Sequence, residues 1–380
     1  MAHSRPQGAV ALAAVAAGTA IALGVPQPRL AALLLIGVLC GVTLYHSAFG
    51  FTAAYRNFLF RRDGTGVKAQ LLMLAVATVL FAPVLASGGV FGREVAGASA
   101  SFGWQVAIGA FFCGAGMQLG GGCGSGTLYA LAGGNARMLA TLLAFCAGGF
   151  WASLHMESWQ ELPHSGELVL GEALGWPAAV ALQLSAIAVL YAMVRTWEAR
   201  RAPAAAPPKW ERIFTGPWSL ATGAVALALL NLATLLVSGH PWSITWAFTL
   251  WGAKAARAIG WDPSVSPFWN NPFQREALEA SILADETSVM DIGILAGALL
   301  ASALAARFAP THRVPARSLA AAIAGGLLMG YGARIAYGCN IGAFFSGVAS
   351  TSLHGWLWIA AALPGTWLGA RARPFFGLPV

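Results

Sequence analysis

The sequence predicts an all-α polytopic membrane protein with about 9–11 transmembrane helices, arranged as two inverted pseudo-repeats with re-entrant broken helices. Three observations lead to this fold class. The 380 residues are 58% hydrophobic and only 9% charged, whereas soluble domains carry roughly 25% charged residues. Several apolar runs approach the roughly 20 residues that a helix needs to cross a bilayer. A pattern rich in glycine, with one cysteine, occurs twice, and such duplication is typical of membrane transporters.

The apolar runs predict ten long helices. In chain order they cover residues 8–25, 30–46, 67–88, 104–120, 138–155, 175–197, 217–238, 288–308, 318–337 and 353–371. Four other segments are too short, too polar or too rich in glycine for clean spans; they are 47–59, 121–134, 241–259 and 338–350. We expect these four to be re-entrant or broken, because irregular backbone at membrane depth must be buried in protein or line a cavity.

The charges between the helices orient them in the membrane. The basic segments are 56–68, 195–212 and 307–317, and the acidic segments are 156–174 and 260–287. Because basic loops favour the cytoplasmic side, the two copies of the repeated pattern have opposite topology, provided that segment 241–259 does not span. The same bias accounts for the net charge of +8, so nucleic acid is not an expected partner.

The chain divides into two transmembrane halves. We expect the first half over residues 1–197, with its repeat motif at 105–153, and the second over 217–380, with its motif at 321–369. Residues 198–216 are rich in alanine, proline and basic side chains, and proline stiffens such a linker and keeps it out of helices. The sequence therefore predicts a cytoplasmic linker between the halves and no soluble domain of useful size.

The repeated pattern places a cysteine at the same point of both copies. Cys123 follows Gly122, and Cys339 follows Gly338, 216 residues later. If a short helix begins after each cysteine, its N-terminal amides face the thiol and favour anions. A thiol is a weak hydrogen-bond donor, which suits a permeant that must bind and then leave. The alternative is that the cysteines are ordinary buried residues and the glycines are helix-packing contacts.

Basic residues near these segments indicate an anionic permeant. Arg334 lies deep in a predicted helix, where a charge is costly and usually functional, and its partner in the other repeat is Gln118. Lys254 and Arg56 flank predicted re-entrant segments. The alternatives stay open: Arg334 could pair with Asp291, Asp291 could carry a coupling proton, and Arg56 could be an ordinary cytoplasmic anchor.

The sequence gives little support to other chemistries. The five cysteines all lie in apolar segments and are odd in number, which argues against a disulfide framework. No CxxC or HxxxH spacing predicts a metal site, and the run around Cys123 lacks the lysine of a phosphate-binding loop. No haem, serine-hydrolase or zinc-protease motif occurs. We therefore expect no metal, no cofactor and no enzymatic activity.

At these residues the chain resembles the YeeE/YedE family of bacterial membrane proteins, also called the sulfur-transport domain family. The resemblance rests on the runs at 122–126, 337–342 and 49–57 and covers roughly residues 35–370. It implies an hourglass-like protein with re-entrant loops that meet at mid-membrane. It also implies thiosulfate uptake, in which the anion passes between thiols by S–H hydrogen bonds, and a small cytoplasmic sulfurtransferase as partner.

The predicted function is a multi-pass permease of the bacterial inner membrane for a small sulfur-containing anion, with thiosulfate as first candidate. Thiosulfate-transporting members carry a cysteine where Gly50 stands here, so a selenium compound or another sulfur species is the alternative permeant. Two other hypotheses are a membrane component that forms a persulfide at one cysteine and a structural anchor for the sulfurtransferase. The residues expected to bind the permeant are Cys123, Cys339, Gly122, Gly124, Ser125, Gly338, Asn340, Arg334, Gln118 and Lys254.

Overall fold

The computed structural model describes residues 7–198, 213–311 and 313–380, and helices dominate them. The predicted linker at 198–216 lies largely outside these residues. Over the described part of the first half, the helices are α1 Gly8–Gly24, α2 Pro28–Ser47, α3 Phe51–Arg61, α4 Thr65–Ser87, α5 Trp104–Gly120, α6 Gly124–Ala132, α7 Arg137–Ser153, α8 Met156–Gln160, α9 Leu170–Leu174 and α10 Trp176–Trp197.

The described part of the second half contains eight more α-helices. They are α11 Leu220–Ser238, α12 Thr245–Ala258, α13 Pro267–Asn270, α14 Pro272–Glu279, α15 Glu286–Leu304, α16 Ala316–Ile335, α17 Gly347–Ala349 and α18 Leu353–Ala372. A π-helix, Asn340–Ser346, leads directly into α17. The described residues also contain three short 3₁₀ segments, at Pro263–Val265, Ile282–Ala284 and Arg373–Phe376.

The ten long helices predicted from the sequence are all present, and their ends differ from the predictions by at most four residues. Helix α5 ends where predicted because Gly121 takes a left-handed φ of 91° after it. Helix α15 begins at Glu286 because the Asp285 carboxylate accepts a hydrogen bond from the Ser288 amide at 2.7 Å. It stops four residues earlier than predicted, and Ala306 has a positive φ beyond its end.

Seven stretches of the described residues are long and apolar enough to cross a membrane. They are Pro28–Arg61, Thr65–Ser87, Trp104–Ala132, Trp176–Trp197, Leu220–Ser238, Glu286–Leu304 and Ala316–Ile335. Two of these stretches join a long helix to the short helix that follows it. The prediction of an all-α polytopic membrane protein is confirmed.

Each of the four segments predicted to be re-entrant contains a short helix. These helices are α3, α6, α12 and the π-helix with α17, and they have 11, 9, 14 and 7 plus 3 residues, respectively. All four are well below the roughly 20 residues that a span requires. We call them the four short helices below.

Two small strand pairs were not predicted from the sequence. Strand β1, Gly89–Val90, pairs with β2, Arg93–Glu94, and β3, Ser101–Gly103, pairs with β4, His164–Glu167. Both pairs are antiparallel, and the second joins segments more than 60 residues apart. These strands are only two to four residues long, too short to show a readable alternation of polar and apolar residues.

The two copies of the repeated pattern have the same order of elements. A long helix, α5 or α16, ends before the cysteine; a short helix begins after it; and a second long helix, α7 or α18, follows. The copies differ in the short helix, which is the regular α6 in the first copy and the π-helix with α17 in the second. A π-helix is rare and frequently occurs at functional sites.

Helices α5 and α16 pack antiparallel, with glycine against glycine. Gly109 lies against Gly332, whereas Gly116 lies against Gly325. A Cβ added at Gly325 would lie only 2.1 Å from the backbone nitrogen of Gly120, so the two backbones are in direct contact. The two copies therefore run in opposite directions along this contact, as an inverted repeat requires.

Similar backbone contacts join other long helices of the two halves. Gly41 of α2 lies against the backbone of Ile294 in α15, and Gly365 of α18 lies against the backbone of Phe111 in α5. In each pair one helix comes from the first half and the other from the second. The halves are therefore interlocked through close backbone packing, which small residues permit.

Candidate functional site

Each predicted cysteine lies at the start of a short helix. Cys123 is the N-cap of α6 and Cys339 is the N-cap of the π-helix, and both have extended backbone. The turn before Cys339 holds Tyr337 and Gly338 in the left-handed region, with φ values of 58° and 156°. The Trp358 Nε1–H donates a hydrogen bond to the Gly338 carbonyl at 3.1 Å. This turn lets the chain leave a long helix and enter a short one within a few residues.

The two cysteine loops contact each other in the protein interior. A Cβ at Gly124 would lie 3.2 Å from the Cys339 Sγ and 3.2 Å from the side chain of Ile244, just before α12. Both cysteines are 1% exposed. Because position 124 has no side chain, the thiol of the second loop can lie against the backbone of the first. The structure thus brings Cys123, Gly124 and Cys339 together.

Hydrogen-bonding groups of the short helices face both thiols. The Cys123 Sγ lies 3.4 Å from the Oγ of Ser125. The backbone groups within hydrogen-bonding range belong to Gly126 and Phe51 for Cys123, and to Ile341 and Gly342 for Cys339. Since Phe51 is the first residue of α3, three short helices direct their N-terminal ends at the cysteine pair. Helix N-termini favour negative charge.

Two further predicted residues line this region. Asn340 is fully buried, its Nδ2 donates to the Tyr55 hydroxyl at 3.4 Å, and its Oδ1 has no partner among the described residues. Gly122 packs closely on the next turn, since a Cβ there would lie 2.9 Å from the Gly126 carbonyl carbon. At Gly50 a Cβ would lie 3.3 Å from the Tyr129 hydroxyl, so a polar group lies beside this position.

A cavity of about 250 Å³ adjoins the cysteine loops on one side. Its lining includes the hydroxyl residues Ser243, Thr245 and Thr249. The Ser243 Oγ would lie 3.2 Å from a Cβ at Gly342, and the Thr245 methyl would lie 3.7 Å from a Cβ at Gly124. Residues that line the cavity therefore pack against both cysteine loops. These hydroxyl residues were not predicted from the sequence, although 245 and 249 are spaced for one face of a helix.

Arg334 lines this cavity without an acidic partner. The two ion pairs of the described residues are Arg29–Glu286 and Lys68–Glu198. The guanidinium carbon of Arg334 lies 5.2 Å from the centre of the Phe268 ring, and its Nε is buried without a hydrogen-bond partner among the described residues. The alternative pair of Arg334 with Asp291 is not observed. An unpaired cation beside a cavity is suited to bind an anion.

Asp291, on α15, is near enough to Cys339 and Cys146 to interact electrostatically with both thiols. It is 0% exposed, and neither carboxylate oxygen has a hydrogen-bond partner among the described residues. An isolated buried carboxylate is costly when ionised. Nothing in these contacts shows a path for protons, so the hypothesis of a coupling proton stays a prediction.

Lys254 does not face the cysteine loops. Its Nζ donates hydrogen bonds to the carbonyls of Leu278 at 2.8 Å and Ala280 at 2.6 Å. These contacts fasten α12 to the end of α14 and to the residue beyond it. Because the ammonium group is engaged with carbonyls, we leave Lys254 out of the proposed site.

Gln118 does not line the cavity of its repeat partner Arg334. It is fully buried, its Nε2 donates to the Thr52 carbonyl at 2.9 Å, and its Oε1 accepts from the Arg56 Nη1 at 3.1 Å. Arg56 was predicted to flank a re-entrant segment but was not among the residues expected to bind the permeant. No signal in the sequence joins residues 56 and 118, because their contact depends on how α3 packs on α5.

The remaining cysteines and acids do not form a second centre. Cys40, Cys113 and Cys146 are buried free thiols, and of these Cys113 is near enough to both Cys123 and Cys339 to interact electrostatically. The described residues contain no group of histidine, cysteine, aspartate or glutamate side chains that could hold a metal ion. The site is thus a set of thiols, helix amides, hydroxyls and an unpaired arginine.

Known transporters are similar in sequence to this chain. The probable transporter YedE of Salmonella typhimurium is 32% identical over 169 residues, and that of Escherichia coli is 33% identical over 169 residues. Each alignment covers 43% of this chain but only 40% of the relative's length. The thiosulfate transporter TsuA of Spirochaeta thermophila is 28% identical over 355 residues, which is 88% of this chain and 96% of that protein.

A family model described as "Sulphur transport" matches residues 46–368. The matched region includes both cysteine loops, all four short helices and most of both halves of the fold. It therefore covers well over half of the chain. The chain belongs to the sulphur transport family.

Proposed function

We propose that the chain is a multi-pass permease of the bacterial inner membrane that passes a small sulfur-containing anion, thiosulfate first among the candidates, between Cys123 and Cys339. The observation that carries the proposal is the contact of the two cysteine loops, in which short helices aim their N-terminal amides at a buried pair of thiols. TsuA, the relative aligned over most of this chain, is a thiosulfate transporter by name.

The contact of the loops is a closed constriction. The Cys339 thiol fills the space beside Gly124, and both cysteines are buried. An anion entering from the cavity of Arg334 exchanges its water for amide and S–H donors at this point. Weak donors hold an ion loosely enough to release it on the other side. The permeant needs no covalent bond to either sulfur, so no oxidant or reductant enters the scheme.

Uptake of ³⁵S-thiosulfate into proteoliposomes tests the proposal. We expect saturable uptake above that of empty liposomes, and competition by unlabelled thiosulfate with little competition by chloride. Competition by selenite would extend the permeant class to selenium compounds. A sulfur adduct on the protein by intact mass, without uptake, would instead favour a persulfide-forming component. Absence of both uptake and adduct would contradict the proposal and leave a structural role.

Arg334→Gln is expected to raise the half-saturating thiosulfate concentration by about tenfold or more, because a hydrogen bond to a charged group contributes about 1.5–3 kcal/mol. Arg334→Lys should keep most of the affinity, since the positive charge stays in the cavity. The measurement is the concentration dependence of proteoliposome uptake.

The matched control for this substitution is Arg275→Gln. Arg275 is exposed on α14, next to residues that line the same cavity, and it binds the Asn270 carbonyl. Its removal changes the net charge equally and should leave the half-saturating concentration within about twofold. An equal effect of both substitutions would reduce the role of Arg334 to general electrostatic attraction.

A further inference from the structure

The contact between α5 and α16 separates two equivalent positions, Gln118 and Arg334. The two helices run antiparallel, with Gly109 beside Gly332 and Gly116 beside Gly325. Gln118 therefore lies near one end of this contact and Arg334 near the other. The cysteine loops, which follow the ends of these helices and turn back to meet, lie between them. The positive charge of Arg334 consequently attracts an anion on only one side of the constriction.

On the side of Gln118 a cation comes from a different element. The Arg56 Nη1 donates to the Gln118 Oε1 at 3.1 Å, and the Gln118 Nε2 donates to the Thr52 carbonyl at 2.9 Å. Both Thr52 and Arg56 are on α3, one helical turn apart, so Gln118 is bonded to two successive turns of that helix. Gln118 thus fixes the guanidinium of Arg56 at the place that corresponds to Arg334 in the other repeat.

Two neighbouring arginines differ from Arg56 in the hydrogen-bond partners of their guanidinium groups. Arg137 donates to the carbonyls of Leu119 and Gly120, and Arg373 donates to the carbonyls of Gln118 and Pro379. Their charges complement the negative end of α5. The Nε of Arg56, in contrast, is buried and has no partner among the described residues. None of these three arginines takes part in an ion pair of the described residues.

Other unpaired polar atoms lead from the cysteine loops towards Arg56. The Asn340 Oδ1 and the Thr52 Oγ1 are both buried without hydrogen-bond partners among the described residues. Tyr55, on the next position of α3 before Arg56, accepts the hydrogen bond from Asn340 with its hydroxyl. Buried polar groups are usually satisfied, so these unpartnered atoms on α3 and the second cysteine loop are groups that a polar guest would satisfy.

We propose that Arg56 is a second anion-binding residue of the pathway, on the opposite side of the constriction from Arg334, and that Gln118 is its positioning residue. The inference rests on the proposed function. Each side of the cysteine pair then has one unpaired arginine, supplied by α16 on one side and by α3 on the other. An anion leaving the thiols meets a fixed guanidinium and carbonyl-bonded arginines beyond it, which favours its transfer across the constriction. Loop charge predicts that this side faces the cytoplasm.

Sided uptake tests the assignment. Thiosulfate is presented to right-side-out and to everted membrane vesicles from cells that lack their own thiosulfate uptake. Arg56→Gln is expected to raise the half-saturating concentration about tenfold in everted vesicles and less than about twofold in right-side-out vesicles. Arg334→Gln is expected to raise the half-saturating concentration about tenfold in right-side-out vesicles and less than about twofold in everted vesicles. Arg61→Gln is the matched control, because Arg61 is exposed on the same helix and donates a hydrogen bond to the carbonyl of Val380.

A second variant covers the case in which Arg56→Gln does not fold. Gln118→Glu keeps the shape of the side chain and places a negative charge beside Arg56, so it should reproduce the face-specific loss while Arg56 is still present. Equal effects on both faces, or no effect of either variant while the wild type transports, would overturn the inference alone. Absence of wild-type uptake from both faces would overturn the proposed function and the inference with it.

Discussion

Cys339→Ala and Cys123→Ala are each expected to abolish growth on thiosulfate as sole sulfur source without loss of expression. Each substitution removes an S–H donor at the narrowest point of the proposed pathway, where both thiols are buried. A hydrogen bond to an anion contributes about 1.5–3 kcal/mol, so uptake should fall by roughly tenfold to a hundredfold. The loss should appear in the rate of proteoliposome uptake as well as in growth.

The control for this pair is Cys40→Ala. Cys40 is equally buried in α2, so its substitution creates a comparable small cavity without touching the constriction. It should leave uptake close to that of the wild type. Normal growth of both constriction variants, with normal protein levels, would remove the thiols from the mechanism and favour the alternative that they are ordinary buried residues.

Gly325→Val is expected to prevent correct packing of α5 on α16. A Cβ at position 325 would lie 2.1 Å from the Gly120 nitrogen and 2.6 Å from the Gly116 carbonyl oxygen. Both obstacles are backbone atoms, so the helices themselves must separate. Overpacking usually costs about 1–3 kcal/mol and occasionally more; here we expect at least the upper value. The measurement is the fraction of monodisperse protein in detergent after heating, followed by size exclusion.

Gly18→Val gives the matched comparison for that measurement. Gly18 lies in the middle of α1, and a Cβ there would meet no atom within 4 Å. The same gain of side-chain volume in a helix should therefore leave thermal stability nearly unchanged. Equal stability of the two variants would show that the contact between α5 and α16 can yield without cost.

The long helices could be predicted from the sequence because the pattern that determines each helix lies within its own residues. An apolar run of nearly span length determines a membrane helix, and a glycine such as Gly121 marks its end. The strand pair of β3 with β4 was missed because it joins distant polar segments. The short helices were predicted as irregular segments, but the regular turns within them, and the π-geometry of Asn340–Ser346, depend on packing around them.

Part of the site was predictable from the sequence, because a repeated motif and a charge within an apolar run can both be recognised along the chain. Duplication identified Cys123 and Cys339, and the cost of a buried charge identified Arg334. The direction of a long side chain is not local, however. Lys254 turns to the carbonyls of residues 278 and 280, and Arg56 reaches Gln118 on another helix. Both outcomes depend on tertiary contacts that one sequence does not reveal.

The glycine contacts between long helices also bear on how the protein moves. Where Gly41 meets Ile294 and Gly365 meets Phe111, backbone touches backbone across the two halves. A rocking-switch cycle, in which one half tilts against the other, would have to break these contacts at every turnover. Three of the four short helices, α3, α6 and the π-helix with α17, begin at the constriction. The fourth, α12, has a glycine contact of its own, Gly252 against the Cys146 carbonyl of α7. We therefore expect a rigid frame with a local gate, and a temperature dependence of flux shallower than that of whole-half motion.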